Sequence, residues 1–167
     1  GDARYGTIPF AHGIFEFQVG RLDVDLARLL DAYFREAFHA AMVRSASTFL
    51  RTVPVQEALD VRQNVAAYED AVGILRHTEK IVVAECICRK QRRLVGRGCG
   101  KPREVCFMFG TMGQYYLDQG LGRRVDADEA VRILTEAQEA GLVTQPATAQ
   151  NPGGMCNCCG DCCGVLV

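Results

Sequence analysis

Residues 80–110, KIVVAECICRKQRRLVGRGCGKPREVCFMFG, carry the first four cysteines of the chain, and the reading of the whole molecule turns on them. KIVVAECIC has the β-branched, apolar make-up of a strand that ends at Cys86 and Cys88. From Arg89 to Arg103 there are seven basic residues and no acidic one: Arg89, Lys90, Arg92, Arg93, Arg97, Lys101 and Arg103. With Gly96, Gly98 and Gly100 interspersed, that stretch predicts a basic loop. EVCFMFGTMGQYYLDQG predicts a helix that stops at Gly120. Its aromatic residues Phe107, Phe109, Tyr115 and Tyr116 are expected to pack a core beside the cysteines, or to shield a metal site from water.

Working upstream, YEDAVGILRHTEK predicts a short helix and TFLRTVPV a short strand, with Pro54 placing the latter at an edge. LDVDLARLLDAYFREAFHAAMV has helical spacing, with Leu22, Leu26, Leu29, Leu30, Tyr33, Ala37, Phe38 and Ala41 on one face and Asp23 or Asp25 at its start. The pieces around Phe15 and Phe17 are strand-like. Downstream, VDADEAVRILTEAQEAGLV is the clearest helix. Asp126 caps it, Glu129 stands three residues on, Ala130, Ile133, Leu134 and Ala137 form its stripe, and Gly141 ends it. Leu142–Gln145 reads as a short strand, and Pro146–Gly164 as turns.

The nine cysteines fall in two groups, with none in the first 85 residues. Cys86, Cys88, Cys99 and Cys106 read C-x-C-x10-C-x6-C. Cys156, Cys158, Cys159, Cys162 and Cys163 read C-x-C-C-x2-C-C. Thiolates are soft ligands that select zinc, copper(I) or iron–sulfur clusters. Zinc sites favour C-x2-4-C pairs, and Cys159-x2-Cys162 is the one pair with that spacing in its own right. The C-x-C and C-C steps suit an object wider than one ion, such as a four-iron, four-sulfide (4Fe-4S) cluster, one or two of them. Gly98, Gly100, Gly153, Gly154, Gly160 and Gly164 are expected to let the backbone approach it. The basic run, Arg92 and Arg93 included, is expected to stabilise its reduced, more anionic form. Two four-thiol sites would leave one cysteine spare, Cys163 or Cys159. A structural zinc module is the alternative, and a redox sensor a third reading. An odd, clustered count with adjacent cysteines argues against a disulfide framework and for a reducing, cytoplasmic setting.

From Cys86 to Leu166 the chain resembles a family of ferredoxin-type iron–sulfur proteins of anaerobic microbes. The resemblance is carried by CICRK, GCGKPREVCFMFG, YYLDQGLGRRVDADEAVRILTEAQEAGLV and CNCCGDCC, with GIFEFQVGRLD and RTVPV upstream. It implies cluster-binding cysteines and a redox partner protein, or a following pair of ferredoxin modules built on C-x2-C-x2-C-x3-C-P runs. No such run occurs here, so the resemblance implies the upstream domain of a longer chain, and the initial Gly1 agrees with a cut or processed start.

Composition bounds the rest. With 167 residues, 49% hydrophobic and 23% charged, the chain is long enough and apolar enough for one domain with a core. The expected fold is α+β: a mostly helical single domain over 1–167, with a scaffold over about 1–85, a small sheet, and a cysteine-rich metal-binding lobe over about 86–167. A net charge of −1 gives no general attraction to nucleic acid or to an anionic membrane surface, and no apolar run reaches membrane-spanning length. GRGCGKP lacks the spacer and the Ser or Thr of a phosphate loop. No carboxylate pair stands out, and nothing sets His12, His39 or His77 beside a cysteine, so no catalytic residue is assigned and no enzymatic activity is expected of this stretch.

Overall fold

The computed structural model describes residues 8, 10–44, 50, 52, 70–147 and 152–166. The fold is α+β, with about half of the chain helical around a small antiparallel sheet.

The long amphipathic stretch forms α1 (Val24–Tyr33), a π-turn (Phe34–Phe38) and α2 (His39–Arg44), one continuous rod. Asp23 caps it as expected: its carboxylate accepts the N–H of Leu26 at 2.8 Å. The buried face differs from the expected one. It is Ala27, Asp31, Phe34 and Phe38, while Leu29 stays 69% exposed and Tyr33, Ala37 and Ala41 are also exposed. Two causes act together. The π-turn advances the register by one residue, and a buried carboxylate at Asp31 is accommodated because arginines from another helix meet it. Around Phe15 and Phe17 the chain forms helical turns, Phe10–Ile14 and Glu16–Gln18, where a strand is expected. The N–H of Gly13 donates to the Glu16 carboxylate at 2.7 Å and closes this turn. Phe15 is buried and meets Phe34 edge-on at 5.1 Å, so here aromatic residues mark a core of rings and not a pleated surface. The strand expected over TFLRTVPV lies outside the described residues except for Leu50 and Thr52; Leu50 makes an isolated bridge to Ala147.

Beyond α3 (Ala71–His77), the sheet begins with β1 (Ile81–Glu85), and α4 (Ile87–Leu94) follows at once. Next come β2 (Glu104–Phe109), α5 (Gly110–Asp118), β3 (Gly122–Val125), α6 (Ala127–Glu139), β4 (Val143–Pro146) and β5 (Gly154–Cys158). The strand order is β3-β1-β2-β5-β4, antiparallel throughout.

Three expectations are corrected here. The basic stretch is not all loop: its first half is α4, because Arg, Lys, Gln and Leu are good helix formers and nothing breaks the run before Gly96, which takes φ +76°. EVCFMF is a strand and not the start of a helix. A strand buried on both faces reads as an unbroken apolar run, which periodicity alone cannot separate from a buried helix. The stretch expected to be turns after Pro146 contains β5, masked in the sequence by its cysteines and glycines. By contrast, β1, α3 and α6 match their expectation. Asp126 accepts the N–H of Glu129 at 2.8 Å, and Ala130, Leu134 and Ala137 are buried with Ile133 packed beside them. The capping box is incomplete: the Glu129 carboxylate instead accepts from Arg123 Nη1 at 2.5 Å.

The sheet separates two cores. On one side Ile81, Val83, Phe107, Phe109 and Met155 pack with Leu75 of α3 and Ala130 and Leu134 of α6. This face is purely hydrocarbon and thioether. On the other, Val82, Ala84, Cys106 and Met108 meet Tyr116 of α5 and the thiols of Cys86, Cys159 and Cys162. Gly113 lets α5 lie close on that face, since a Cβ there would sit 2.9 Å from the Met108 carbonyl oxygen. Phe107 and Phe109 therefore pack away from the cysteines, and Tyr116 is the buried aromatic on their side. Tyr115 is 39% exposed against Phe17.

Candidate metal–thiolate site

Two different local geometries deliver the two C-x-C steps. Cys86 is the extended residue that caps α4, and Cys88 lies in the first turn of that helix. Cys156 and Cys158 lie on β5, where alternate residues share a face. Met155 goes to the hydrocarbon core on one face, which leaves Cys156 and Cys158 on the other with Cys106 of the neighbouring β2. Cys159 to Cys163 form a turn closed by the N–H of Cys163 donating to the Cys159 carbonyl at 3.0 Å. Both cysteine groups thus meet at one place, as the sequence suggested, although sixty positions separate Cys99 from Cys159, whose sulfurs stand 3.9 Å apart. All nine cysteines are free thiols.

Within that place the thiols divide into six and three, not into four, four and a spare. Cys86 interacts through its side chain with Cys106 and Cys88, Cys88 with Cys163, Cys163 with Cys158, Cys158 with Cys156, and Cys156 with Cys106. These contacts close a ring: Cys86, Cys88, Cys163, Cys158, Cys156, Cys106. Cys99, Cys159 and Cys162 form a separate triad whose sulfurs all lie within 4.8 Å of one another, a group that can hold a metal ion. Among the described residues no other set of three candidate ligands is that tight, so the ring is the wider arrangement. Neither Cys163 nor Cys159 is set apart.

The ring cannot lose all its protons unaided. Contacts from Cys106 and Cys88 hold the Cys86 thiol well below its ordinary range, against burial, with help from Arg89. Contacts from Cys158 and Cys88 bring Cys163 down to about 3, and the N–H of Val165, 3.4 Å from its sulfur, adds to this. Their neighbours move the other way. Cys88 is pushed up by Cys163 and Cys86, Cys106 by Cys156 and Cys86, and Cys158 by Cys156 and Cys163, with burial adding to each. Each thiolate forces its neighbour to keep a proton, because like charges this close cannot all persist in a buried site. Only a cationic centre would let every sulfur ionise at once.

One cation is built in. Arg89 of α4 is 2% exposed and lines the same cavity as the ring thiols. Its Nη2 donates to the Asn157 carbonyl at 2.8 Å, while its Nε and Nη1 are buried with no hydrogen-bond partner. Burial alone would lower its pKa, but the sulfurs of Cys86, Cys159 and Cys106 outweigh that and hold the guanidinium charged. Asn157, fully buried between Cys156 and Cys158, accepts from the Thr144 hydroxyl at 2.9 Å and donates to the Val105 carbonyl at 2.8 Å. It fixes β5 to β4 and β2, and it fixes Arg89 to β5.

The rest of the basic run is otherwise occupied. Arg92 Nη1 pairs with Asp31 at 2.5 Å, and Arg97 pairs with the same carboxylate. Arg103 reaches Glu85 at 3.0 Å, and Lys90 donates to the Val19 carbonyl at 2.6 Å. The expected tuning role of Arg92 and Arg93 therefore passes to Arg89, which sequence reading did not separate from its neighbours. The available signal was its place three residues after Cys86, one helical turn on, had α4 been recognised.

The glycines act less uniformly than expected. A Cβ on Gly153, Gly160 or Gly100 would meet open space. Gly98 lies against the Arg93 backbone, and Gly164 lies against Phe34, where a Cβ would stand 2.5 Å from Cε1. His39 Nε2 lies 3.1 Å from the Gly164 carbonyl. This contact and the Phe34 packing clamp the end of the cysteine block to the helical rod, the structural role expected for His39. His77 bonds within its own helix, with Nδ1 2.7 Å from the Gly73 carbonyl; the side chain of His12 lies outside the described residues. Gly164→Ala should cost about 1–3 kcal/mol through overpacking. Thermal unfolding of the variant should show a lower midpoint, and an unchanged midpoint would mean that Phe34 gives way freely.

No family model, curated protein or solved structure matches this chain. No helix among the described residues is long and apolar enough to cross a membrane.

Proposed function

We propose that this chain binds an iron–sulfur cluster in the six-thiol ring and passes electrons to or from a partner protein, or to ferredoxin modules of a longer chain. The observation that carries the reading is the buried, unpartnered Nε and Nη1 of Arg89 at a cavity lined by thiols. A guanidinium kept dry with two free donors calls for an anion with acceptors to spare. A four-iron cluster fits on both counts: held by four thiolates it is anionic, and its sulfides accept hydrogen bonds. It would supply a one-electron couple. Cys86, Cys88, Cys106, Cys156, Cys158 and Cys163 offer more thiols than the four it takes, spaced more widely than the triad. Tyr116 and Met108 line the same cavity and would limit water, which favours a defined potential.

Single Cys→Ser variants of the six test this. After anaerobic loading with iron and sulfide, the wild type should show a reducible cluster by absorbance and by electron paramagnetic resonance of the reduced protein. Cys86→Ser and Cys106→Ser should lose most of that signal. A wild type that takes no acid-labile sulfide would overturn the reading.

A further inference from the structure

We propose that Cys99, Cys159 and Cys162 form a second site, separate from the ring, that binds a single thiophilic ion of the zinc class and leaves its fourth position exchangeable. The inference rests on the division of the nine thiols and stands whether or not the ring takes a cluster. Metal–sulfur bonds of about 2.3 Å in a tetrahedral site put the sulfurs about 3.8 Å apart. Cys99 Sγ and Cys159 Sγ stand 3.9 Å apart, and the three sulfurs lie within 4.8 Å of one another, so they need little movement to close on one ion. Cys159 and Cys162 come from the one C-x2-C step in the chain, on a tight turn, which is the spacing that wraps a single ion. The third ligand enters from Cys99, in the loop after α4.

No fourth ligand completes the set. Among the described residues no other Cys, His, Asp or Glu brings a ligand atom within the same reach. Asp161 is adjacent in sequence, but its carboxylate is 61% exposed and faces Lys101 Nζ at 3.8 Å. Three protein ligands and one free position are the arrangement of reactive zinc sites, whereas structural sites are closed by four. Burial agrees with this. Cys159 and Cys162 are each 2% exposed, while Cys99 is half-buried, so the ion would sit at the edge of the core and not within it. Three thiolates and a divalent ion carry one net negative charge, and the Arg89 guanidinium beside Cys159 is the nearest built-in counter-charge.

The test uses the whole chain under anaerobic conditions. Cobalt(II) should load one equivalent with the d–d bands of tetrahedral thiolate coordination, and an added small thiol should shift those bands by entering the fourth position. Cys99→Ser and Cys162→Ser should each weaken zinc, measured against a chromogenic chelator, by more than the roughly 10–100-fold that loss of an outer partner costs. Acid-labile sulfide should stay at the wild-type level in both, and Cys106→Ser should do the reverse. If the wild type takes zinc but no sulfide, and Cys99→Ser loses the zinc, this site stands and the cluster reading falls. The proposal is overturned if Cys99→Ser binds zinc as the wild type does, if it loses sulfide as Cys106→Ser does, or if the cobalt bands ignore the added thiol.

Discussion

Asp31→Ala should destabilise the fold by about 3–5 kcal/mol, the range for removing one partner of a buried ion pair. Asp31 is 6% exposed and accepts from Arg92 Nη1 at 2.5 Å, with Arg97 and Arg35 on its other oxygen. Without it, Arg92 is left as an uncompensated buried charge between α1 and α4. The effect should depend on pH with a fixed sign. Burial raises the Asp31 carboxyl, but Arg97, Arg92 and Arg35 outweigh it, so its folded-state pKa lies below the ordinary 3.8. A depressed acid stabilises fully above its unfolded value and loses that contribution as pH falls through its folded value. Urea unfolding of the metal-free forms should therefore show a gap between wild type and variant that is full near neutrality and closes in acid. A loss under about 1 kcal/mol, the scale of an exposed pair, or a gap that stays constant into acid, would show that this network does not hold α4 in place.

Arg89→Met should lower the reduction potential of the loaded protein by on the order of 100 mV. A unit charge about 7 Å from the redox centre, at an effective dielectric constant near 20, is worth about 2 kcal/mol, and a one-electron couple converts about 1.4 kcal/mol to 59 mV. The sign follows from charge. The reduced cluster is the more negative form, so removing a cation destabilises it more than the oxidised form. Arg89→Lys keeps the charge but loses the planar fork that reaches the Asn157 carbonyl, and should fall between the two. Redox titration of the three proteins checks the order. Arg92→Met should leave the potential nearly unchanged while lowering stability, because its guanidinium answers to Asp31. Equal shifts from Arg89→Met and Arg92→Met would mean that the whole basic run acts as a diffuse field.

Some of this was legible in the sequence for clear physical reasons. α6 announced itself because Asp126 caps it and its stripe keeps a 3.6-residue period. β1 did so because Ile81, Val82 and Val83 suit nothing else. The meeting of the two cysteine groups was also legible, since a helix between them returns the chain. Hidden were the elements whose residues serve the site before the local structure. β5 carries Cys156, Asn157 and Cys158, which have no strand signature, and β2 is apolar on both faces, so its period of two disappears. α4 was obscured by charge: Arg89 and Arg92 look solvated in a sequence, yet one lies among sulfurs and the other on Asp31. A buried arginine becomes visible only with its partner, and Asp31 lies 61 positions away from Arg92.

The central claim is that the ring holds a cluster and not isolated ions. Iron, acid-labile sulfide and zinc, counted per chain on anaerobically purified and reconstituted protein, test it most directly. About four irons with equal sulfide, and no more than one zinc, is the predicted result. Two or more zinc ions per chain with no sulfide would contradict it.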